Sequence, residues 1–137
     1  MSRSRSKRRG FTLIELMIVV AIAAILLGLA VPSFIDTVRK GRRSDAADAV
    51  VGVLQAQERW RGRNTTYSAS LGSLNLPSTS SGGYYSLALS AASATGYTLT
   101  ATGQSSKGQD RDRGCSALVV TVTNGNPVYT PAACWSR

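Results

Sequence analysis

Hydrophobic positions along the chain change their period twice, and each change predicts a different element. Residues 16–31, LMIVVAIAAILLGLAV, are apolar or glycine without interruption. Extended back to Phe11, the run is broken only by Thr12 and Glu15. Residues 11–31 would form a helix roughly 31 Å long at about 1.5 Å per residue, which matches a bilayer core. A run apolar on every face is unlike a soluble core helix, which keeps a polar side. Beyond Pro32 the pattern becomes one-sided. Val38, Ala46, Ala49, Val50, Val53, Leu54, Gln57 and Trp60 fall largely on one helical face. Arg39, Lys40, Arg42, Arg43, Asp45, Asp48, Glu58 and Arg59 cover much of the remainder. Pro32 lacks an N–H and crowds the preceding turn, so it is expected to end or kink the first helical stretch. The resumed pattern still predicts one long helix from about residue 12 to about residue 61, closed by Gly62, Asn64 and Thr65.

Residues 62–83, GRNTTYSASLGSLNLPSTSSGG, are a loop by composition. The period then falls to two. Tyr85, Leu87 and Leu89 alternate with Tyr84, Ser86 and Ala88, and Tyr97, Leu99 and Ala101 alternate with threonines. Strands are predicted at 84–90, 96–102 and 117–123, the first two joined as a hairpin through SAASAT. A fourth short strand, 127–130, follows the Asn124-Gly125 turn. The fold class is α+β: a long N-terminal helix, membrane-spanning in its first half, packed on an antiparallel sheet of three to four strands. Four segments result: a basic leader at 1–10, a membrane segment at 11–31, an amphipathic helix half at 32–61 and a β-sheet domain at 62–137.

Charge sharpens this division. The chain of 137 residues carries 16 Lys+Arg against 7 Asp+Glu, a formal +9. Arg3, Arg5, Lys7, Arg8 and Arg9 belong to the leader, so residues 11–137 carry +4. The leader argues for a cytoplasmic N-terminus, whereas Arg39, Lys40, Arg42 and Arg43 lie just past the other end of the span. The two cysteines, Cys115 and Cys134, decide between them. Both follow the span and would be bridged only in an oxidising compartment, which places the C-terminal domain outside. Such a bridge would restrict the unfolded state of a small domain by roughly 3 kcal/mol. A reactive thiol pair is the alternative, although the C-x-x-C spacing is missing. A secretory signal removed whole would end in small residues after a shorter core, whereas Val31-Pro32 follows here. The change of composition between Gly10 and Phe11 suggests a cut there instead.

Glu15 is an acid at the edge of a membrane span, a placement that requires a partner. A cut after Gly10 would expose an α-amine on Phe11, about 6 Å away along a helix. One cation and one anion in an apolar setting are best satisfied by a staggered neighbouring copy. That contact need not close on itself, and so builds a filament.

The stretch GFTLIELMIVVAIAAILLGLAVPSF resembles the N-terminal signature of type IV pilins and pseudopilins. Gly10, Phe11, Thr12, Leu13, Glu15 and Pro32 carry the resemblance. It implies the pilin fold, leader removal after Gly10 by a prepilin peptidase, N-methylation of Phe11 and a subunit-assembly role for Glu15. It also implies an inner-membrane stage, other pilin subunits as partners and a final place in an extracellular pilus fibre. Ala24 stands where many major pilins have a glycine that marks an unwound stretch; the resemblance then leaves Gly28 and Pro32 as the nearby residues where unwinding would be expected. QERWRGRNTTYS, GGYYSLALSAASATGYTLTAT, DRDRGCSALVVTV and the terminal ACW resemble minor pilins of the PilE type, which share a domain with a DNA-uptake-sequence receptor. Type II secretion pseudopilins fit less well, since they often have a calcium site and lack this cysteine pair.

The implied function is a structural minor pilin of a type IV pilus, serving pilus assembly, adhesion or twitching. With no histidine, Ser-His-Asp and Cys-His catalysis and imidazole metal sites are excluded, and two cysteines are too few for an all-cysteine zinc site. No catalytic residue, metal site or cofactor is expected. The alternative is a pilus-borne DNA receptor. Lys107, Arg111 and Arg113, with Arg59, Arg61 and Arg63, would contact phosphates if the fold brings them together. Asp110 and Asp112 are expected to cancel part of that charge. Asn64-Thr65-Thr66 fits the N-glycosylation pattern but reads as an ordinary loop.

Overall fold

The structure is a computed structural model and describes residues 10–135. The leader cations Arg3, Arg5, Lys7, Arg8 and Arg9 lie outside the described residues. The chain divides into two units, residues 1–35 and residues 36–137.

Helix α1 runs from Leu13 to Arg61. Within the first unit, every described residue from Gly10 to Ile35 is exposed, including Phe11 at 85% and Leu29 at 74%. Among the described residues, α1 alone is long and apolar enough to cross a membrane. Pro32 lies inside α1 and does not end it. The bond it cannot make is one of many in the ladder of a helix of 49 residues. Thr12 starts the helix: its hydroxyl accepts the backbone N–H of Glu15 at 3.2 Å.

The second unit builds on the remainder of α1, residues 36–61. Its sheet contains β1 (Tyr85–Ser90), β2 (Gly96–Gly103), β3 (Ala117–Thr123) and β4 (Asn126–Thr130), antiparallel throughout and ordered as in sequence. The period-2 pattern sets the register. Leu87 faces Ala101, which faces Leu118, and Leu89 faces Leu99, which faces Val120. These rows place Tyr85, Leu87, Tyr97, Leu99, Leu118, Val120 and Val122 in one core with Ala46, Val50 and Val53 of α1. Asn124 and Gly125 both have positive φ (51° and 77°), the conformation of a two-residue hairpin turn. Gly96 is required by close approach: a methyl there would run into the carbonyl oxygen of Val122.

The 62–83 loop is held by polar anchors rather than by apolar burial alone. The Gln57 side chain donates to the Ser68 carbonyl (2.8 Å) and accepts the Ser68 N–H (2.9 Å). The Asp45 carboxylate accepts the Gly82 N–H (2.8 Å) and the Ser81 hydroxyl (3.1 Å). Burial pushes the Asp45 pKa up, but hydrogen bonds from Ser80, Ser81 and the backbone at Gly82 and Tyr84 outweigh it and hold the pKa below its usual value. The same loop closes the outer edge of β1: Leu87 donates to Ser78 (2.7 Å) and Ser80 to Tyr85 (2.9 Å). The exposed outer strand β4 carries Pro127.

Candidate functional site

Two regions hold the chemistry predicted from sequence. At the chain's start, Gly10, Phe11 and Thr12 precede α1 and are exposed. The Gly10–Phe11 bond therefore lies outside the helical hydrogen-bond ladder. Glu15 follows in the first turn of α1. Its carboxylate is placed where the helix dipole favours negative charge. Thr12 and Glu15 together form the spacing of a capping box, which sequence reasoning passed over although the pattern was readable. Among the described residues Glu15 forms no ion pair.

The second region is the loop between β2 and β3, residues 104–116, which contains two short 3-10 turns. It is strapped to α1 by three arginines. Arg39 Nε donates to the Gly108 carbonyl (3.2 Å) and Arg42 Nη1 to the Lys107 carbonyl (2.9 Å). Arg43 grips Asp112 with two bonds of 2.7 Å, the bidentate geometry peculiar to guanidinium and carboxylate. Buried Gln109 completes the joint. Its amide donates to the Arg39 carbonyl (3.1 Å), the Tyr85 hydroxyl (2.8 Å) and Asp112 (3.3 Å). The hydrogen bond to Asp112 raises the Arg43 pKa, against burial, which lowers it. Burial raises that of Tyr85.

This joint corrects one sequence expectation. Asp112 does not cancel surface charge; it is buried at 5% exposure and paired with Arg43. Lys107, Arg111 and Arg113 remain exposed, with Asp110 the exposed acid among them. The local signal for the joint was Arg43 itself, which shares a helical stripe with Ala46, Val50 and Val53 and so needed a buried counter-ion.

The six cations suggested for DNA contact do not form one strip. Lys107 sits against Arg42, near the start of the α1 segment in this unit. Arg61 lies at the end of α1, where it donates to Asn64 (2.7 Å) and Ala94 (3.0 Å) and stacks over Tyr67 at 5.7 Å. Residues 42 and 61 are separated by about 28 Å of helix. Arg59 and Arg63, both exposed, belong with Arg61. The fold thus gives two separate basic groups: short-range sequence spacing could not fix where a loop 44 residues downstream would dock.

Cys115 and Cys134 form a disulfide with Cα atoms 5.7 Å apart. It joins the end of the strapped loop to the final 3-10 turn, and both residues are buried. Among the described residues, no group of three His, Cys, Asp or Glu is placed to hold a metal ion.

Comparison with known proteins agrees with these features. Residues 5–31 match the prokaryotic N-terminal methylation motif. The chain is 42% identical to the type IV major pilin protein PilA of Myxococcus xanthus over 67 residues, 49% of this chain and 30% of that protein. It is 33% identical to the fimbrial protein EcpC of Eikenella corrodens over 95 residues, 69% of this chain and 62% of that protein. Similarity to the type II secretion system core protein G of Escherichia coli is 32% over 65 residues, 47% of this chain and 45% of that protein. The chain thus spans less than two thirds of the length of each of these relatives. Residues 32–119, more than half of the chain, match the family described as type IV minor pilin ComP, DNA uptake sequence receptor. On this extent of match, joined to the long helix, four-stranded sheet and C-terminal disulfide, the chain belongs to the type IV minor pilin family.

Proposed function

We propose that this chain is a structural minor subunit of a type IV pilus, stored in the inner membrane with its N-terminus cytoplasmic and its sheet domain outside. A prepilin peptidase cuts between Gly10 and Phe11, and Phe11 is then methylated on its new amine. Glu15 of one subunit meets the Phe11 amine of the next, while apolar helices bury one another in the fibre core. The observation that carries this reading is a helix exposed over its whole apolar length with one acid in its first turn. Such a surface is stable only in lipid or against other copies of itself. The methylation motif and the apolar helix fit both settings. The four-segment division, 1–10, 11–31, 32–61 and 62–137, belongs to the same proposal. Mass spectrometry of sheared surface fibres tests it. The expected result is a subunit beginning at methylated Phe11 with Cys115 and Cys134 oxidised; a fibre-borne chain retaining its arginine-rich leader would overturn it.

A second reading is favoured by one observation: Lys107, Arg111 and Arg113 are exposed while Asp112 is turned inward. The matched family is also described as a DNA uptake sequence receptor. In this reading the loop contacts duplex phosphates. Three phosphate contacts predict that log K falls against log salt with a slope of about −2.7. Titration of the detergent-solubilised processed chain with duplex DNA measures the slope. A slope near zero, or no binding near physiological ionic strength, would reject a receptor role.

A further inference from the structure

A cleft in the second unit has no part in the assembly and DNA readings. It lies between α1 and the final 3-10 turn, Ala132–Cys134. We propose that this cleft binds a glycan, with Trp135 as its aromatic wall and Lys40, Ser44 and Asp48 as its polar rail. The proposal goes beyond the subunit role, and it uses residues of the second unit alone.

The cleft, of about 880 Å³, falls in the size range of small-molecule sites. Small residues open it: Gly41 and Ala47 of α1, and Ala133 of the turn. A Cβ at Gly41 would meet nothing within 4 Å. Lys40, Ser44 and Asp48 line one side. They recur at every fourth residue, and so share a helix face with a rise of about 6 Å between neighbours. Trp135 lines the other side and is half-buried. Its indole is fixed in place. Nε1 donates to the Thr130 carbonyl (3.3 Å), the ring meets Tyr129 edge-on at 5.0 Å, and the preceding residue, Cys134, is bridged to Cys115. The wall is thus formed before a ligand arrives, and little ordering cost falls on binding.

The charges around the cleft select a polyhydroxyl ligand. Among the described residues neither Lys40 nor Asp48 forms an ion pair. Arg43 also lines the cleft, but Asp112 neutralises it. The other charges on this part of α1 are engaged elsewhere: Arg39 with Asp36, Arg42 with Tyr84 and the Lys107 carbonyl, Asp45 with Ser81 and Gly82. One ammonium and one carboxylate remain on the rail, about 12 Å apart along the helix, and their charges cancel. An ion of either sign satisfies one of them and is repelled by the other, and a small zwitterion cannot span the distance. A hydrocarbon would strip both of water. An oligosaccharide of a few rings reaches both, and its hydroxyls donate to Asp48 and accept from Lys40. Ser44 gives its proton to the Gly41 carbonyl (2.8 Å), which leaves its oxygen to accept from a further hydroxyl. The C–H face of a pyranose ring, slightly positive, suits the negative face of the indole.

The processed full chain, in a non-glycosidic detergent, would be titrated with cellotriose, maltotriose, chitotriose and sialyllactose, and separately with inorganic phosphate. The indole N–H resonance of Trp135 is the readout. At least one of the sugars is expected to shift it saturably, with little change at high salt. Asp48→Ala should weaken that affinity at least about tenfold, the loss of hydrogen bonds to a charged group. Gly41→Leu should fill the cleft and abolish the shift while the Tm holds or rises, since leucine is the better helix former. That variant separates a blocked cleft from a misfolded chain. No saturable shift with any of the sugars, or sugar binding that survives either variant, would overturn the proposal. So would a shift produced by phosphate and by none of the sugars, which would make the cleft an anion site.

Discussion

Replacing Glu15 by alanine is expected to remove this subunit from sheared pili, lowering its amount at least about tenfold while leaving its membrane pool intact. The argument is one of differential stabilisation. In the proposed membrane stage, Glu15 would lie near the polar boundary with water within reach. In a fibre core the carboxylate and the new Phe11 amine would both be stripped of water. Unpaired, each would cost several kcal/mol; paired across subunits, they offset one another. Alanine leaves the neighbour's amine alone in an apolar core, so incorporation fails although the span itself becomes more hydrophobic. Glu15→Asp, which keeps the charge but shortens the reach, should give an intermediate amount. Immunoblots of fibres and of membranes measure both pools. Wild-type levels of the alanine variant in fibres would break the proposed pairing.

The second large effect is expected at Arg43. Arg43→Ala leaves the buried Asp112 carboxylate without its bidentate partner, a loss on the order of 3 kcal/mol. For a domain of about 100 residues that corresponds to a fall in Tm of roughly 12 °C or more, read from tryptophan fluorescence on heating. Arg43→Lys should recover only part, because an ammonium cannot occupy both carboxylate oxygens. The double change Arg43→Met/Asp112→Asn should recover part of the loss, since it removes both charges at nearly unchanged volume and keeps an acceptor for Gln109. A single-variant loss below about 1 kcal/mol would mean that solvent reaches Asp112. Because the joint holds Lys107 and its neighbours in place, Arg43→Ala should also weaken any anion binding by the loop without removing a cation from it.

These two residues differ in how readily sequence discloses them. Glu15 interrupts an otherwise apolar run, so a one-dimensional pattern is enough to single it out. The strands were legible for a similar reason: Tyr85, Leu87, Tyr97, Leu99 and Ala101 alternate because one face of each strand is buried. Helix α1 ends at Arg61, where the periodicity predicted, while Pro32 failed to stop it because a single missing bond is minor in a helix of 49 residues. Arg43 and Asp112 lie 69 residues apart, and nothing local links them. From sequence alone Asp112 looks like a surface charge, because its neighbours Arg111 and Arg113 are such charges. Gln57 on the packing face was legible as buried, but its partner Ser68 was not, since loop geometry decides it. The disulfide was the exception among long-range contacts, for with two cysteines in the chain only one pairing exists.

The sealed flank of β1 has a consequence for crowding. Pili pack many sheet-bearing domains at high local concentration, the condition under which ladders on neighbouring chains fuse into amyloid. Fusion in that manner needs two open rims per molecule, so that each newcomer offers a fresh template. Here residues 78–80 occupy one rim, and the other displays a proline. Copies of this domain brought to fibre density are therefore expected to stand side by side without zipping together.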